Sequence, residues 1–152
     1  MNAVRQAKRA KQVMNWENRV SATVNRQISS PLLRTPPGPW SNAIEVLPGA
    51  RYLYTCGLVG VRQDGVVEDG IAAQAVRIFE NIDILLREAG MDMSHVVKII
   101  SYLVDLAEQP AYAKARNPFL GDARPAMTLL GVAQLAQPAL RLEVEVIAAK
   151  HD

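Results

Sequence analysis

The clearest pattern of apolar and polar positions lies late in the chain, where Leu142, Val144 and Val146 alternate with Arg141, Glu143 and Glu145. Alternation with a period of two marks a strand with one face on a core, and it predicts a strand over residues 141–149. A partner strand is expected over 126–132, joined to it by a connection that holds Gln137 and Pro138. Residues 96–104, VVKIISYLV, are almost wholly apolar and are expected near the centre of a sheet. Upstream the period changes. Ile71, Ala75, Ile78, Phe79, Ile82, Leu85, Leu86 and Ala89 recur at spacings of three and four, which predicts a helix over 71–89 with one apolar stripe. Asp69 stands as its N-cap, Gly90 as the residue that ends it, and Asp83 and Arg87 as an i,i+4 pair on its outer side. A helix with one apolar stripe must cover something, and here that is a sheet.

The remaining elements are shorter. Residues 42–47 read as a strand closed by Pro48-Gly49. Residues 51–61 read as another, on the strength of Tyr52, Leu53, Tyr54, Thr55 and Val59. Gly57 and Gly60 interrupt it, a sign of a bulge or of a group approaching the backbone. Gln63-Asp64-Gly65 is a hairpin turn signal, with Val66-Val67 returning. A short helix over 111–120 begins after Pro110 and is disturbed by Pro118. The order β-β-β-α-β-α-β-β predicts an α+β fold, with two helices packed on one face of a single sheet. Before it, residues 2–24 are fair helix formers with a ragged apolar side, and residues 28–39 form a proline-rich linker. The expected division is a basic extension with its linker over 1–36 and one domain over 37–152.

Charge sharpens that division. Residues 1–34 carry Arg5, Lys8, Arg9, Lys11, Arg19, Arg26 and Arg34 against Glu17 alone, a net of +6; the whole chain is +2, so the rest is −4. A basic arm is compatible with a nucleic acid or membrane surface, with an organellar address, or with an extension that lies on the body. An apolar content of 49% suits a soluble globular domain, and no apolar run approaches the ~20 residues that span a bilayer. Cys56 is the only cysteine, which excludes an intrachain disulfide. No apolar leader opens the sequence, so a cytoplasmic location is expected.

Candidate chemistry is sparse. His95 and His151 are the only histidines and neither has partners at metal-ligand spacing. The glycines follow no phosphate-loop pattern. Aromatic residues make up 5% of the chain, too few to supply a stacking platform for single-stranded nucleic acid. That leaves the polar face of the last strand, which is either a solvated sheet surface or the wall of a pocket in which Glu143 handles a proton or a water.

Several runs together resemble one family: GPWSNAIEV (38–46), YTCGLVG (54–60), EAGMDMSHVVKIISYLVDL (88–106), RPAMTLLGV (124–132) and LEVEVIAA (142–149). Over residues 37–150 the chain is similar to the Rid superfamily. The resemblance implies a chorismate-mutase-like fold and a homotrimer with pockets between subunits. It also implies hydrolytic deamination of reactive enamines and imines such as 2-aminoacrylate, with no cofactor and no metal. In that family a tyrosine, a serine, an asparagine and a carboxylate-binding arginine shape the pocket, and a glutamate orients the attacking water.

Residue by residue, this chain departs from that pattern. The tyrosine position is Trp40, the serine position Cys56 and the asparagine position Ala113, while PARS has become Pro125-Ala126-Met127-Thr128, so that Met127 replaces the arginine. Glu143 is retained, and Gly57 remains to offer backbone groups. A thioether cannot replace a bidentate guanidinium–carboxylate contact, and losing a charge-assisted bond costs about 1.5–3 kcal/mol. The expectation is therefore a divergent Rid-type hydrolase acting on a small, relatively apolar enamine or imine and disfavouring 2-aminoacrylate. Glu143 would be catalytic, and Trp40, Cys56, Gly57, Met127 and Thr128 would line the substrate. The alternatives are a non-catalytic small-molecule-binding trimer and, with no residue that specifies it, an RNA-binding or ribonuclease-type member.

Overall fold

The structure, a computed structural model, describes residues 25–151; the helix expected over 2–24 lies outside the described residues. In chain order the strands and helices are β1 (Arg26–Ile28), β2 (Ala43–Glu45), β3 (Arg51–Tyr54), β4 (Leu58–Val59), α1 (Gly70–Glu88), β5 (Val96–Leu103), α2 (Gln109–Leu120), β6 (Ala126–Gly131) and β7 (Leu142–Lys150). Short 3₁₀ turns, Met93–His95 and Leu106–Glu108, precede β5 and α2. The main sheet runs β3-β7-β5-β6, with β4 also paired to β7. All its pairs are antiparallel except β5–β6, which are parallel and are joined through α2. The α+β order and the single face of helices expected from sequence are present.

Alternation fixes the two faces of the sheet. Leu142, Val144, Val146 and Ala148 of β7 join Ile99 and Leu103 of β5 in one core. Helix α1 adds Ile71, Ala75, Ile78, Phe79, Ile82 and Leu86, and α2 adds Tyr112 and Leu120. Each large side chain so buried is worth about 1.5–3 kcal/mol. Helix α1 ends as its sequence implies: Gly90 takes φ +66°, and its N–H reaches Arg87 O at 2.9 Å. The next N–H, of Met91, reaches Leu86 O at 2.8 Å, while the Met91 side chain enters the core. Asp69 occupies the N-cap position but makes no side-chain capping bond. The Asp83–Arg87 pair forms at 2.8 Å.

Three details differ from expectation. The strand over 42–47 shortens to β2 and leaves the main sheet, pairing instead with β1, a three-residue strand with no periodicity to announce it. Val66 and Val67 form no strand, and only a bridge between Val61 and Val67 remains. The strand over 51–61 divides into β3 and β4. Tyr54 faces Ile147 whereas Leu58 faces Val144, so four residues on one side span three on the other. That one-residue excess is a bulge over 55–57, where Gly57 interrupts the strand.

One buried polar group ties α1 to this region. Gln74 is 1% exposed and sits within the apolar stripe. Its Nε2 donates to Glu68 O at 3.0 Å and to Ala139 O at 2.8 Å, and its Oε1 accepts from Arg141 N at 2.8 Å. Gly60 presses against it, since a Cβ there would lie 2.5 Å from Gln74 Cα. Replacing the amide by an isosteric apolar group strands three backbone groups, at about 1–3 kcal/mol for each one left dry. Gln74→Leu is expected to lower the urea midpoint by an amount equivalent to at least about 2 kcal/mol; a midpoint within error of the parent would remove Gln74 from this role.

Candidate functional site

The bulge and β7 together build one half of the candidate site. Thr55 anchors the bulge to β7 twice: its N–H donates to Val146 O at 3.1 Å, and its Oγ1 accepts from Val146 N at 3.0 Å. With Thr55 pinned, Cys56 is turned outward and exposed, and Gly57 lies flat over β7. Glu143, opposite Val59 and Tyr102 in the ladder, folds its side chain onto that glycine. A Cβ on Gly57 would fall 1.7 Å from Glu143 Oε1 and 2.6 Å from Cδ, so only glycine lets the carboxylate occupy this position. Among the described residues, none donates a hydrogen bond to the Glu143 oxygens, which leaves their lone pairs open to water. A half-buried carboxylate held against a backbone, with its acceptor sites vacant, can orient a water or take a proton.

The other half lies two strands away. Ser41 forms a parallel bridge with Ala126; its N–H donates to Pro125 O at 3.1 Å and its Oγ to Arg124 O at 2.6 Å. This brings the neighbouring Trp40, half-buried and folded back on Gly38, to the start of β6. Met127 and Thr128 follow on β6, facing opposite ways. Met127 stands opposite Ile99 and packs against the core on the helix side, whereas Thr128 shares the open face of the sheet with Glu143. Strand β5 lies between, so β6 and β7 are about 10 Å apart. Within one chain, Glu143, Gly57 and Cys56 therefore form one group, and Trp40, Met127 and Thr128 form another. Arg124 does not stand in for an arginine at 127: its Nη1 donates to Gly121 O at 2.9 Å and to Ala123 O at 2.8 Å in the turn before β6. Ala113, half-buried, lies on α2.

The open face carries two polar residues that the sequence reading passed over, Lys98 and Tyr102. Lys98 Nζ donates to Thr128 Oγ1 at 2.7 Å, and Tyr102 OH donates to Glu145 Oε1 at 3.2 Å. Their signal was present: in VVKIISYLV the polar members Lys98 and Tyr102 fall at an even spacing of four, hence on one face, the same face as Glu143 and Glu145. On the opposite face Ser101 is buried and meets Tyr112 OH at 2.6 Å; burial pushes that phenol's ionisation up. His95 belongs to structure, closing a capping box in which its Nδ1 accepts from Asp92 N at 3.1 Å. No cluster of three or more metal-ligating side chains occurs among the described residues.

Comparison with known proteins places this geometry. Residues 33–150 match the family model described as Endoribonuclease L-PSP. A RutC family protein of Aquifex aeolicus (strain VF5) is 30% identical over 128 residues, covering 82% of this chain and 99% of that one. A 2-iminobutanoate/2-iminopropanoate deaminase of Dermatophagoides farinae is 33% identical over 124 residues, covering 80% and 94%. Among solved structures, a conserved Rid-family protein of Yersinia pestis superposes with a TM-score of 0.74 at 30% identity, covering 82% of this chain and 97% of its own. No described helix is long and apolar enough to cross a membrane.

Tyr102 offers a direct test of the electrostatics on this face. Partial burial, then the bond to Glu145, then the negative charges of Glu145 and Glu143 push its hydroxyl above the ordinary tyrosine range. The folded state thus holds this proton more tightly than the unfolded state. The stability this contributes is complete below the ordinary tyrosine value and is lost as pH rises through the folded one. In a ¹³C-tyrosine NMR titration, Glu145→Gln is expected to bring the Tyr102 midpoint down towards that ordinary value. An unmoved midpoint would separate Tyr102 from Glu145.

Proposed function

The chain belongs to the Rid superfamily, and from that premise we propose that it is a hydrolase that deaminates a small enamine or imine, with Glu143 orienting the attacking water. The observation that carries this reading is the contact between the Glu143 carboxylate and Gly57, where the space a Cβ would need is already taken by Oε1. An imine carbon delivered beside Gly57 would meet a water held by Glu143. Addition of that water gives a carbinolamine; protonation of its nitrogen and loss of ammonia leave the carbonyl product. Relatives that carry a deaminase name support the reaction class.

The complete pocket is assigned to a cleft between subunits of a homotrimer. Glu143, Gly57 and Cys56 stand on one flank of the sheet, and Trp40, Met127 and Thr128 at the far strand. A head-to-tail ring would bring the first group of one subunit against the second group of the next. It would also cover Tyr52, Tyr54 and Leu130, which stand exposed on the open face. Met127 stands at the position of the family's arginine but packs against the core on the helix side, so that flank offers no cation to grip a carboxylate and substrates that depend on such a grip are disfavoured. The preferred substrate is an imine whose substituent is apolar, in keeping with Trp40 and with the absence of a cation at position 127.

The assay is carbonyl release from a freshly generated imine, compared with the uncatalysed rate. Glu143→Ala is expected to abolish catalysis while light scattering still reports a trimer. Gly57→Ala, which displaces the carboxylate, should cost at least about tenfold in kcat/KM. Hydrolysis that survives Glu143→Ala would overturn the mechanism, and a monomer mass would overturn the shared cleft. A parent protein no faster than water would leave a trimer that binds small molecules without turning them over, the reading that Met127 favours.

Met127→Arg tests specificity separately. Restoring a charge-assisted contact worth about 1.5–3 kcal/mol should raise hydrolysis of 2-aminoacrylate-type imines by roughly ten- to a hundredfold. No increase over the parent would show that the arginine position is not what sets substrate choice.

A further inference from the structure

The helix layer carries a groove on the side of the molecule away from the open face, so a ring closed through the open face leaves it uncovered. It runs along the outer side of α1 beside α2 and has a volume of about 340 Å³. Its floor is made of small apolar residues, Ala72, Ala73 and Val76 of α1 and Ala115 of α2, and its rim of Glu68, Arg77 and Glu80. Arg77 is shared between the two acids: Nε lies 3.2 Å from Glu68 Oε1 and Nη1 lies 2.7 Å from Glu80 Oε2. The rim thus holds two negative charges against one positive. A segment with an apolar stripe and surplus cations fits it.

Residues 1–24 have that composition. They carry Arg5, Lys8, Arg9, Lys11 and Arg19 against Glu17, a net of +4, and Val13, Trp16 and Val20 recur at the three and four spacing of one helical stripe. The described chain also begins within reach. Asn25 Nδ2 donates to Ala149 O at 2.7 Å, and Lys150, next along β7, donates from Nζ to Gly90 O at 2.6 Å. The arm therefore leaves the domain beside the C-terminal end of α1. From Gly90 back to Glu80 is about 15 Å along the helix, and residues 20–24 span up to about 17 Å when extended. Val20 then lies level with Glu80. From there a helical segment 13–20 rises in step with 73–80 of α1, which sets Trp16 level with Val76, and Lys8 level with Glu68.

We propose that residues 13–20 of the chain's own basic arm dock in the groove between α1 and α2, running parallel to α1. Trp16 covers Val76 and Ala115, and Val13 covers Ala73. Arg19 gives Glu80 a second cation, and Lys8 and Arg9 do the same for Glu68. The arm's positive charge is thereby neutralised on the domain rather than offered to a nucleic acid, and the open face stays free for assembly.

Disulfide trapping in the full chain tests this, with Cys56→Ser removing the native thiol. Val13→Cys is paired either with Ala73→Cys in the groove or with Ile84→Cys, an exposed position about 16 Å further along α1. A disulfide needs Cα atoms within about 7 Å, so the first pair should close within one chain at least about tenfold faster than the second. Trp16→Ser should slow that closure about fivefold or more, as loss of a buried large apolar side chain requires. Glu80→Lys should slow it as well. Equal rates for the two pairs would overturn the proposal, and so would an unchanged rate with Trp16→Ser. A crosslink between chains on a non-reducing denaturing gel would put the arm on a second copy and would overturn it too. In the chain without added cysteines, Trp16→Ser should shift the amide signals of Ala73, Val76 and Ala115 and spare those of Gly57 and Glu143. Unmoved groove signals would likewise overturn the docking, whatever the outcome at the hydrolytic site.

Discussion

The buried carboxamide of Gln74 is the interaction on which the candidate site rests. A polar side chain in the middle of a helix's apolar stripe is costly unless its donors and acceptor are all used, and here they are. Through Glu68 O, Ala139 O and Arg141 N it clamps the segment before α1 and the connection before β7 to the same point. Gly60 packs directly on it. Arg141 is two residues from Glu143, and Gly60 is three from Gly57. Glu143 and Gly57, the two residues in contact at the candidate site, are thus set by a group that touches neither of them.

The sheet divides labour between its faces. The helix side is closed by Ile99, Val144, Val146 and the two helices, and Met127 and Leu129 of β6 pack against that core. The open side carries Lys98, Tyr102, Glu143 and Glu145 in adjacent strands, with exposed Tyr52, Tyr54 and Leu130 around them. The bulge over 55–57 matters because of this division. Its extra residue restores the parity of β4, so that Leu58 faces the core and Val59 lies beside Glu143. Without it, Leu58 would leave the core for the open face and Gly57 would not lie under the carboxylate.

Much of this was legible in the residues. The stripe from Ile71 to Leu86, the alternation from Leu142 to Val146 and the stop at Gly90 each encode a local rule, and each element formed within a residue or two of expectation. The glycine interruption at Gly57 was legible as a bulge or a close approach, and it is both. What sequence could not carry was long-range. Arg26–Ile28 has no period, and its pairing with β2 depends on where the chain returns. The role of Gln74 depends on Ala139 and Arg141, more than sixty residues away. Trp40 and Met127 could be aligned with a family's pocket residues, but alignment does not reveal that they stand apart from Glu143 within one chain.

Strand β7 is the last strand of the sheet in chain order, yet it sits inside it, hydrogen-bonded to β3 and β4 on one side and β5 on the other. During synthesis, β3, β4 and β5 are all made before that central partner exists. For the interval in which residues 142–150 are still being made, β3, β4 and β5 present unpaired backbone edges and an uncovered apolar face. The nascent chain cannot reach its native order piece by piece; closure is a single late insertion. Any ribosome pause or truncation upstream of β7 would hold the chain in its most aggregation-prone form.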